Sequence, residues 1–159
     1  MEWMILPFKR YADFAGRSRR REFWMFSLLN AILASILAGP FLVGVIGAGL
    51  LAAGNPGAGD EAFETMMSGG FGLAFIGLGL YGLYTLAAFI PSIAVAVRRL
   101  HDRDMSGWWY LGLIVASMLP FVGFLASIAM LVLFVLPGTE GDNRFGPDPK
   151  NPMGEDVFA

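Results

Sequence analysis

The sequence predicts an all-α integral membrane protein: three transmembrane helices, the third broken near Pro120, plus a short N-terminal interfacial helix. Three observations carry this. Hydrophobic residues make up 56 % of the chain and charged ones 15 %, against roughly 25 % charged in soluble domains. All eleven bases and thirteen acids fall within 1–22, 60–64, 98–104 and 140–159. The uncharged stretches between them, 23–59, 65–97 and 105–139, each exceed the roughly 20 residues a helix needs to cross the hydrocarbon. The net charge of −2 says little, because sign is partitioned by segment. At 159 residues there is room for one domain, 1–149, with 150–159 expected as a disordered tail.

The N-terminal segment reads as amphipathic. Phe8, Tyr11 and Phe14 recur every third residue, with Lys9, Arg10 and Asp13 between them. Pro7 suits a first helical turn and Gly16 a stop, which describes a short helix in the headgroup plane. Arg17, Arg19, Arg20 and Arg21 then abut the first apolar run. Such a cluster attracts anionic headgroups and holds its end of the span in the cytoplasm. The run starts too far in, and is too long, for a cleaved signal peptide; it is expected to be an uncleaved anchor.

The first span is expected within 23–53, with Trp24 at the interface and a bend at Gly39-Pro40. Gly44, Gly47, Ala48 and Gly49 form a small-residue surface for helix packing. Gly54 to Glu61, rich in Asn, Pro and Gly, reads as loop. The 54–70 connection carries three acids and no base, which agrees with an extracytoplasmic position. Asp60, Glu61 and Glu64 match no calcium-loop spacing. The second span is expected within 71–97, with Gly72, Gly79 and Gly82 as packing glycines. Tyr81 and Tyr84 fall near mid-span and need hydrogen-bond partners, and Pro91 predicts a second kink.

Arg98 and Arg99 then fall at a helix C-terminus, where cations complement the dipole. Ser106 or Asp104 is the expected cap of the third helix, with Trp108 and Trp109 marking its interface. The third run, 108–136, contains Leu119-Pro120-Phe121-Val122-Gly123 near its middle. It admits one broken, tilted span or a hairpin at Pro120–Gly123. Hairpin arms of about 18–20 Å would not cross a core of about 30 Å, so one broken span is expected. That puts the tail opposite the N-terminus, outside the cytoplasm. The tail itself is turn chemistry.

Several separated motifs resemble one family. Gly16-Arg17, Arg20-Arg21-Glu22-Phe23-Trp24, Arg98-Arg99-Leu100-His101-Asp102, Ser106-Gly107-Trp108-Trp109, Pro120-Phe121-Val122-Gly123, Pro137-Gly138 and Asn143-Arg144-Phe145-Gly146-Pro147-Asp148-Pro149 occur in the order found in the DUF805 family. These are small bacterial inner-membrane proteins of unknown function. The resemblance implies a bacterial cytoplasmic membrane and a multi-pass helical fold. It implies no activity and transfers no catalytic residue.

The most site-like stretch is Arg98 to Trp109, which holds the single histidine. One histidine and two carboxylates among three arginines make a poor cation site, and with no cysteine a thiolate site is excluded; no metal and no cofactor is expected. A His101–Asp102 pair lacks a recognisable nucleophile motif, so no catalytic residue is assigned. Arg17, Arg20, Arg21, Arg98, Arg99, His101, Asp102 and Arg103 are the candidate contacts for an anion or lipid headgroup. The competing reading is an ion-pair network in which Glu22, Asp102 and Asp104 neutralise the arginines. The expected function is non-enzymatic, acting through lipid or protein contacts at the cytoplasmic face. Expected partners are anionic membrane lipids and a second copy packed through glycine-rich faces, with no nucleic acid. The alternatives are an oligomeric channel or transporter component, or a lipid-acting enzyme using His101-Asp102. Ion-coupled transport by a monomer is disfavoured, because no ionisable side chain other than tyrosine lies within the three runs.

Overall fold

The computed structural model describes residues 2–55, 57–65 and 71–150, and among them the architecture is all-helical, with one isolated bridge between Asn143 and Gly146. Seven helices follow in order: α1 Glu2–Lys9, α2 Arg20–Leu37, α3 Gly39–Gly54, α4 Ala58–Thr65, α5 Phe71–His101, α6 Trp108–Ser117 and α7 Val122–Val135. They divide into two units, Met1–Ser27 with Ala88–Ala159, and Leu28–Ala87. The expected disordered tail, apart from Lys150, lies outside the described residues.

In the Leu28–Ala87 unit the chain bends by 54° where α2 passes into α3, at the expected Gly39-Pro40 dipeptide. Pro40 stands in the first turn of α3, where its missing N–H removes no intrahelical bond. The tight approach falls to a different glycine than expected. A Cβ at Gly77 would overlap the Leu37 carbonyl, whereas Gly47, Gly49, Gly72, Gly79 and Gly82 have open space around them. Phe41 and Phe75 pack with centroids 5.2 Å apart. The Tyr84 hydroxyl donates to Asn30 Oδ1 at 2.9 Å, which supplies the partner that a mid-span phenol requires. Residues 58–65, placed partly in the expected loop, form α4 instead. Asp60 and Glu61 occupy its first turn, where acids complement the helix dipole.

In the other unit α1 is shorter than expected. Pro7 is buried inside it rather than opening it, and the helix ends before Tyr11 and Phe14, both exposed. Only Phe8 of the aromatic triplet packs inward, edge-on to Phe26 at 5.4 Å. Gly16, with φ +76°, turns the chain toward α2. Helix α5 runs unbroken through buried Pro91 to His101. Below its charged last turn, Ala96 and Leu100 pack with Phe134, and Phe23 reaches the same ring at 4.3 Å.

The third apolar run departs from the expected single broken span. Helices α6 and α7 pack against each other as a hairpin. Phe121, at φ 64° and ψ −49°, is the centre of a γ-turn closed by Val122 N–H to Pro120 O at 2.8 Å, a strained geometry for a non-glycine residue. Gly123 lets α7 close on α6, since a Cβ there would overlap the Ser117 carbonyl. After α7 the chain returns to the turn it left: Thr139 N–H donates to Asp102 O at 2.8 Å. The segment after α7 therefore lies at the same end of this unit as Arg17 and Asp102, not opposite the N-terminal segment. At the start of α6 the cap position is Gly107, which has no side chain to offer, and the Trp108 N–H donates to Ser106 Oγ at 3.5 Å. Ser106 sits one residue earlier, and Asp104 takes φ 57° in the preceding turn.

By length and composition one helix, Gly72–His101, can cross a membrane alone, and α2 with α3 qualifies as one bent pair. At about 1.5 Å per residue, α6 and α7 are about 15 and 21 Å long, too short for either to cross.

Candidate functional site

Two arginines in succession, Arg98 and Arg99, are 0 % exposed. A buried cation survives only where carboxylates and carbonyls replace its water, so their partners define the site. Arg98 lies in the last turn of α5 and Glu22 in the first turn of α2, each placed where its charge suits its own helix dipole. They pair, Nη2 donating to Oε1 at 3.0 Å. Asp13 stands 3.7 Å from Arg98 Nη1.

Asp102 is the hub. Arg17 Nε donates to its Oδ1 at 3.1 Å, and Arg99 Nη1 donates to its Oδ2. One buried carboxylate thus bridges two buried guanidiniums. Both arginines also donate outward to main-chain carbonyls of the returning chain. Arg17 reaches Gly141 O and Thr139 O, each at 2.6 Å. Arg99 reaches Phe134 O and Leu136 O, and Arg20 Nη1 reaches Val135 O at 3.2 Å. These carbonyls belong to the C-terminal end of α7, which has no basic residue in its own last turn. The carbonyls that an α-helix leaves without intrahelical partners at its C-terminus are here satisfied by arginines from α5 and from the start of α2. Gly138 is required for this closure, because a Cβ there would overlap the Asp102 carboxylate.

A second layer locks the returning loop. Asn143 Nδ2 donates to His101 O at 2.9 Å and its Oδ1 accepts from Phe145 N–H at 2.9 Å. The Phe145 ring stacks on His101, 3.9 Å between centroids and 4° from parallel. Arg144 pairs with Asp104 at 3.0 Å, both exposed. Backbone N–H groups of Lys150 and Gly141 bond Asp148, and with Arg17 and Lys150 nearby they hold its carboxyl below the ordinary value.

Of the expected candidates, Arg17, Arg99 and Asp102 are brought together and bonded to one another, while Arg98 is buried against Glu22 and Asp13, its Nε and Nη1 without a hydrogen-bond partner among the described residues. Arg20 and Arg21 are exposed beside them. Arg103 joins no ion pair among the described residues, and its buried Nε lacks a partner. The side chains of His101 and Asp102 do not pair. His101 Nδ1 instead faces Gly16 O at 3.2 Å, and both Asp102 oxygens are taken by arginine. His101 and Ser106 line one apolar groove of about 530 Å³, with Phe14, Val97 and Trp108, yet no hydrogen bond joins the two. Gly138, Thr139, Asn143 and Phe145 also belong to this cluster, although none is charged. For Gly138, Asn143 and Phe145 the one signal is membership of the motifs that carry the family resemblance; Thr139, which lies outside them, has none.

An all-helical chain whose long apolar helices end in a buried charged clasp defines a small integral membrane protein with an architectural junction at one end. It belongs to the DUF805 family, described as protein of unknown function, which matches residues 11–147. It is 39 % identical over 150 residues to the inner membrane protein YhaI of Escherichia coli (strain K12), a match covering 94 % of this chain and 97 % of YhaI. It is 38 % identical to the inner membrane protein YhaH of the same organism, over 94 % of this chain and 98 % of YhaH. No solved structure matches. These relatives place the chain in a bacterial inner membrane.

Proposed function

We propose that this is a non-enzymatic inner-membrane protein that acts through lipid and protein contacts at its cytoplasmic face. One observation carries the reading: the groups that could perform chemistry are occupied structurally. Asp102 is shared between Arg17 and Arg99, and His101 is held between Gly16 O and the Phe145 ring. The basic 17–21 cluster supports a cytoplasmic N-terminus, and the acidic 54–70 connection then lies outside. The hydrogen-bonded return of the chain to Asp102 supports a cytoplasmic position for residues 137–150 as well.

In this reading two segments cross, α2 with α3 and α5, while α6–α7 enters from the cytoplasmic side and turns back. The turn suits apolar surroundings. Of its five N–H groups from Met118 to Gly123, four donate internally, Pro120 having none to satisfy. Exposed Met118, Phe121 and Phe124 surround it. An unsatisfied backbone group in hydrocarbon costs several kcal/mol, so such internal bonding is what an inserted turn needs.

The test is lipid retention. The full chain is extracted with its native lipid shell in polymer nanodiscs, and anionic phospholipid is expected to be enriched at least about threefold over the bulk membrane, as basic interfacial residues attract it. A retained shell of bulk composition overturns the reading. An impermeant thiol reagent applied from outside should leave Glu140→Cys unlabelled; labelling refutes the cytoplasmic assignment. The oligomeric-pore alternative draws on the open faces at Gly72, Gly79 and Gly82, and ion flux in proteoliposomes would favour it.

A further inference from the structure

We propose that the cavity between the start of α2 and the Pro149-Lys150 segment binds a phosphoryl group, carried by an anionic lipid headgroup or by a soluble phosphate ester. This rests on the reading above, and names the ligand chemistry of that cytoplasmic face. The cavity measures about 260 Å³ and is lined by Arg19, Arg20, Arg21, Asp102, Gly138 and Lys150, with Pro149. It exists only because the chain returns: residues more than a hundred positions apart in sequence make its two sides.

The distribution of ion pairs sets this cavity apart. Of the eleven bases in the chain, Arg17, Arg98, Arg99 and Arg144 are in ion pairs. Among the described residues Lys9, Arg10, Arg103 and the four cations of this cavity are in none. Four of the seven cations without an ion pair among the described residues therefore face one small space. Asp102, the single acid among the described residues of the wall, is already bridged by two buried guanidiniums and offers them no counter-charge. Like charges gathered this closely repel, and an anion in the cavity removes that cost.

The donors suit a tetrahedral oxyanion. Among the described residues Arg20 commits one N–H to Val135 O, which leaves four of the five a guanidinium carries. Arg19 lies over the Trp3 ring, 5.9 Å from its centroid, which steadies its stem. Arg21 and Lys150 stand exposed at the rim. The first-turn amides of α2, which begins at Arg20, lack intrahelical acceptors and add the positive end of the helix dipole. Planar guanidiniums match phosphate oxygens in pairs, and the volume, just under the usual range for whole drug-sized ligands, fits a headgroup.

The experiment uses the full chain in an uncharged detergent, with phosphatidylglycerol and phosphatidylcholine as lipid probes read by native mass spectrometry. Inorganic phosphate and glycerol phosphate serve as soluble probes. Phosphatidylglycerol is expected to bind at least about tenfold tighter than phosphatidylcholine. Removing two charges with Arg21→Gln/Lys150→Gln should weaken it about thirtyfold, at the per-charge attraction of a basic surface. Neither side chain bonds another of the described residues, and the charge-keeping exchange Arg21→Lys/Lys150→Arg should bind within about twofold of the parent, which separates charge from folding. The control Lys9→Gln/Arg10→Gln removes the same charge from exposed positions outside the cavity, and should leave binding within about threefold. Equal loss in both neutral pairs would overturn the proposal, reducing it to diffuse surface charge. So would failure of every phosphate probe to bind. If soluble phosphate binds and needs Arg21 and Lys150 while the two lipids bind alike, the cavity stands with a soluble ester as ligand and the lipid-contact reading falls. If preference for phosphatidylglycerol survives in Arg21→Gln/Lys150→Gln, the contact reading stands and the cavity is refuted.

Discussion

Asp102→Asn is expected to be the most damaging single-atom exchange in the chain. The parent carboxylate bridges Arg17 and Arg99, whose side chains are 1 % and 0 % exposed, and is itself 7 % exposed. An asparagine keeps one carbonyl oxygen, enough for one guanidinium, and turns an NH₂ toward the other. The two arginines keep their bonds to Thr139, Gly141, Phe134 and Leu136 carbonyls, so neither is stripped bare, but two buried cations lose their counter-charge. Breaking a buried pair by removing one partner costs about 3–5 kcal/mol. For a chain of this size that is a fall in melting temperature of about 6–20 °C. The assay is thermal unfolding in detergent, followed through intrinsic tryptophan emission. Arg144→Gln is the reference, because it breaks an ion pair whose side chains are 60 % and 47 % exposed; exposed pairs contribute at most about 1 kcal/mol, or roughly 4 °C at most. If Asp102→Asn melts within about 2 °C of the parent, or no lower than Arg144→Gln, the buried bridge is not what holds the returning chain.

Two smaller perturbations separate glycines and strain. Gly77→Ala should lower stability by about 1–3 kcal/mol through overlap with the Leu37 carbonyl; Gly79→Ala, facing open space, should leave it unchanged or slightly raised, and thermal melts that reverse this order contradict the packing. Phe121→Gly should relieve the strained γ-turn at φ 64°, raising stability by up to about 1 kcal/mol, unless an unfavourable entropy for the glycine cancels it; a large loss in a chemical-denaturation series would mean that the exposed ring, not the backbone, sets the turn.

The membrane class was legible because charge segregation is a property of the linear chain, visible without any contact. So were the local features. Gly39-Pro40 marks a bend wherever it falls in a helix, and Arg98-Arg99 announces a helix end by its charge. The third run was not legible, because Pro120 and Gly123 break a helix equally well in a kinked span and in a hairpin. What decides between them is Gly123 fitting against the Ser117 carbonyl and Thr139 bonding Asp102, contacts that no periodicity encodes. Gly77 escaped notice for the same reason. Its neighbours Gly72, Gly79 and Gly82 form the better-looking pattern, but a packing glycine is chosen by the backbone opposite it, here at the bend after Leu37. The candidate site was half-read. Pairing of Glu22 and Asp102 with arginines follows from opposite charges at helix ends, whereas the donation by Arg99 and Arg20 to the end of α7 joins side chains to carbonyls, which every residue has and none advertises.

The motifs that carried the family resemblance now have a common physical cause. Gly16 turns the chain and accepts from His101, Arg17 and Arg99 share Asp102, Gly138 admits the returning backbone to that carboxylate, and Asn143 and Phe145 fasten the loop over His101. These residues are spread from 16 to 145 in sequence and meet in one clasp. A short apolar hairpin cannot hold itself in place through its own helix ends, since α7 brings no cation to its last turn. The clasp supplies those cations from elsewhere and buries them against a carboxylate. The motif is therefore accounted for by architecture, and a ligand has to be sought among the charges that the architecture leaves unpaired, which is where Arg19, Arg20, Arg21 and Lys150 stand.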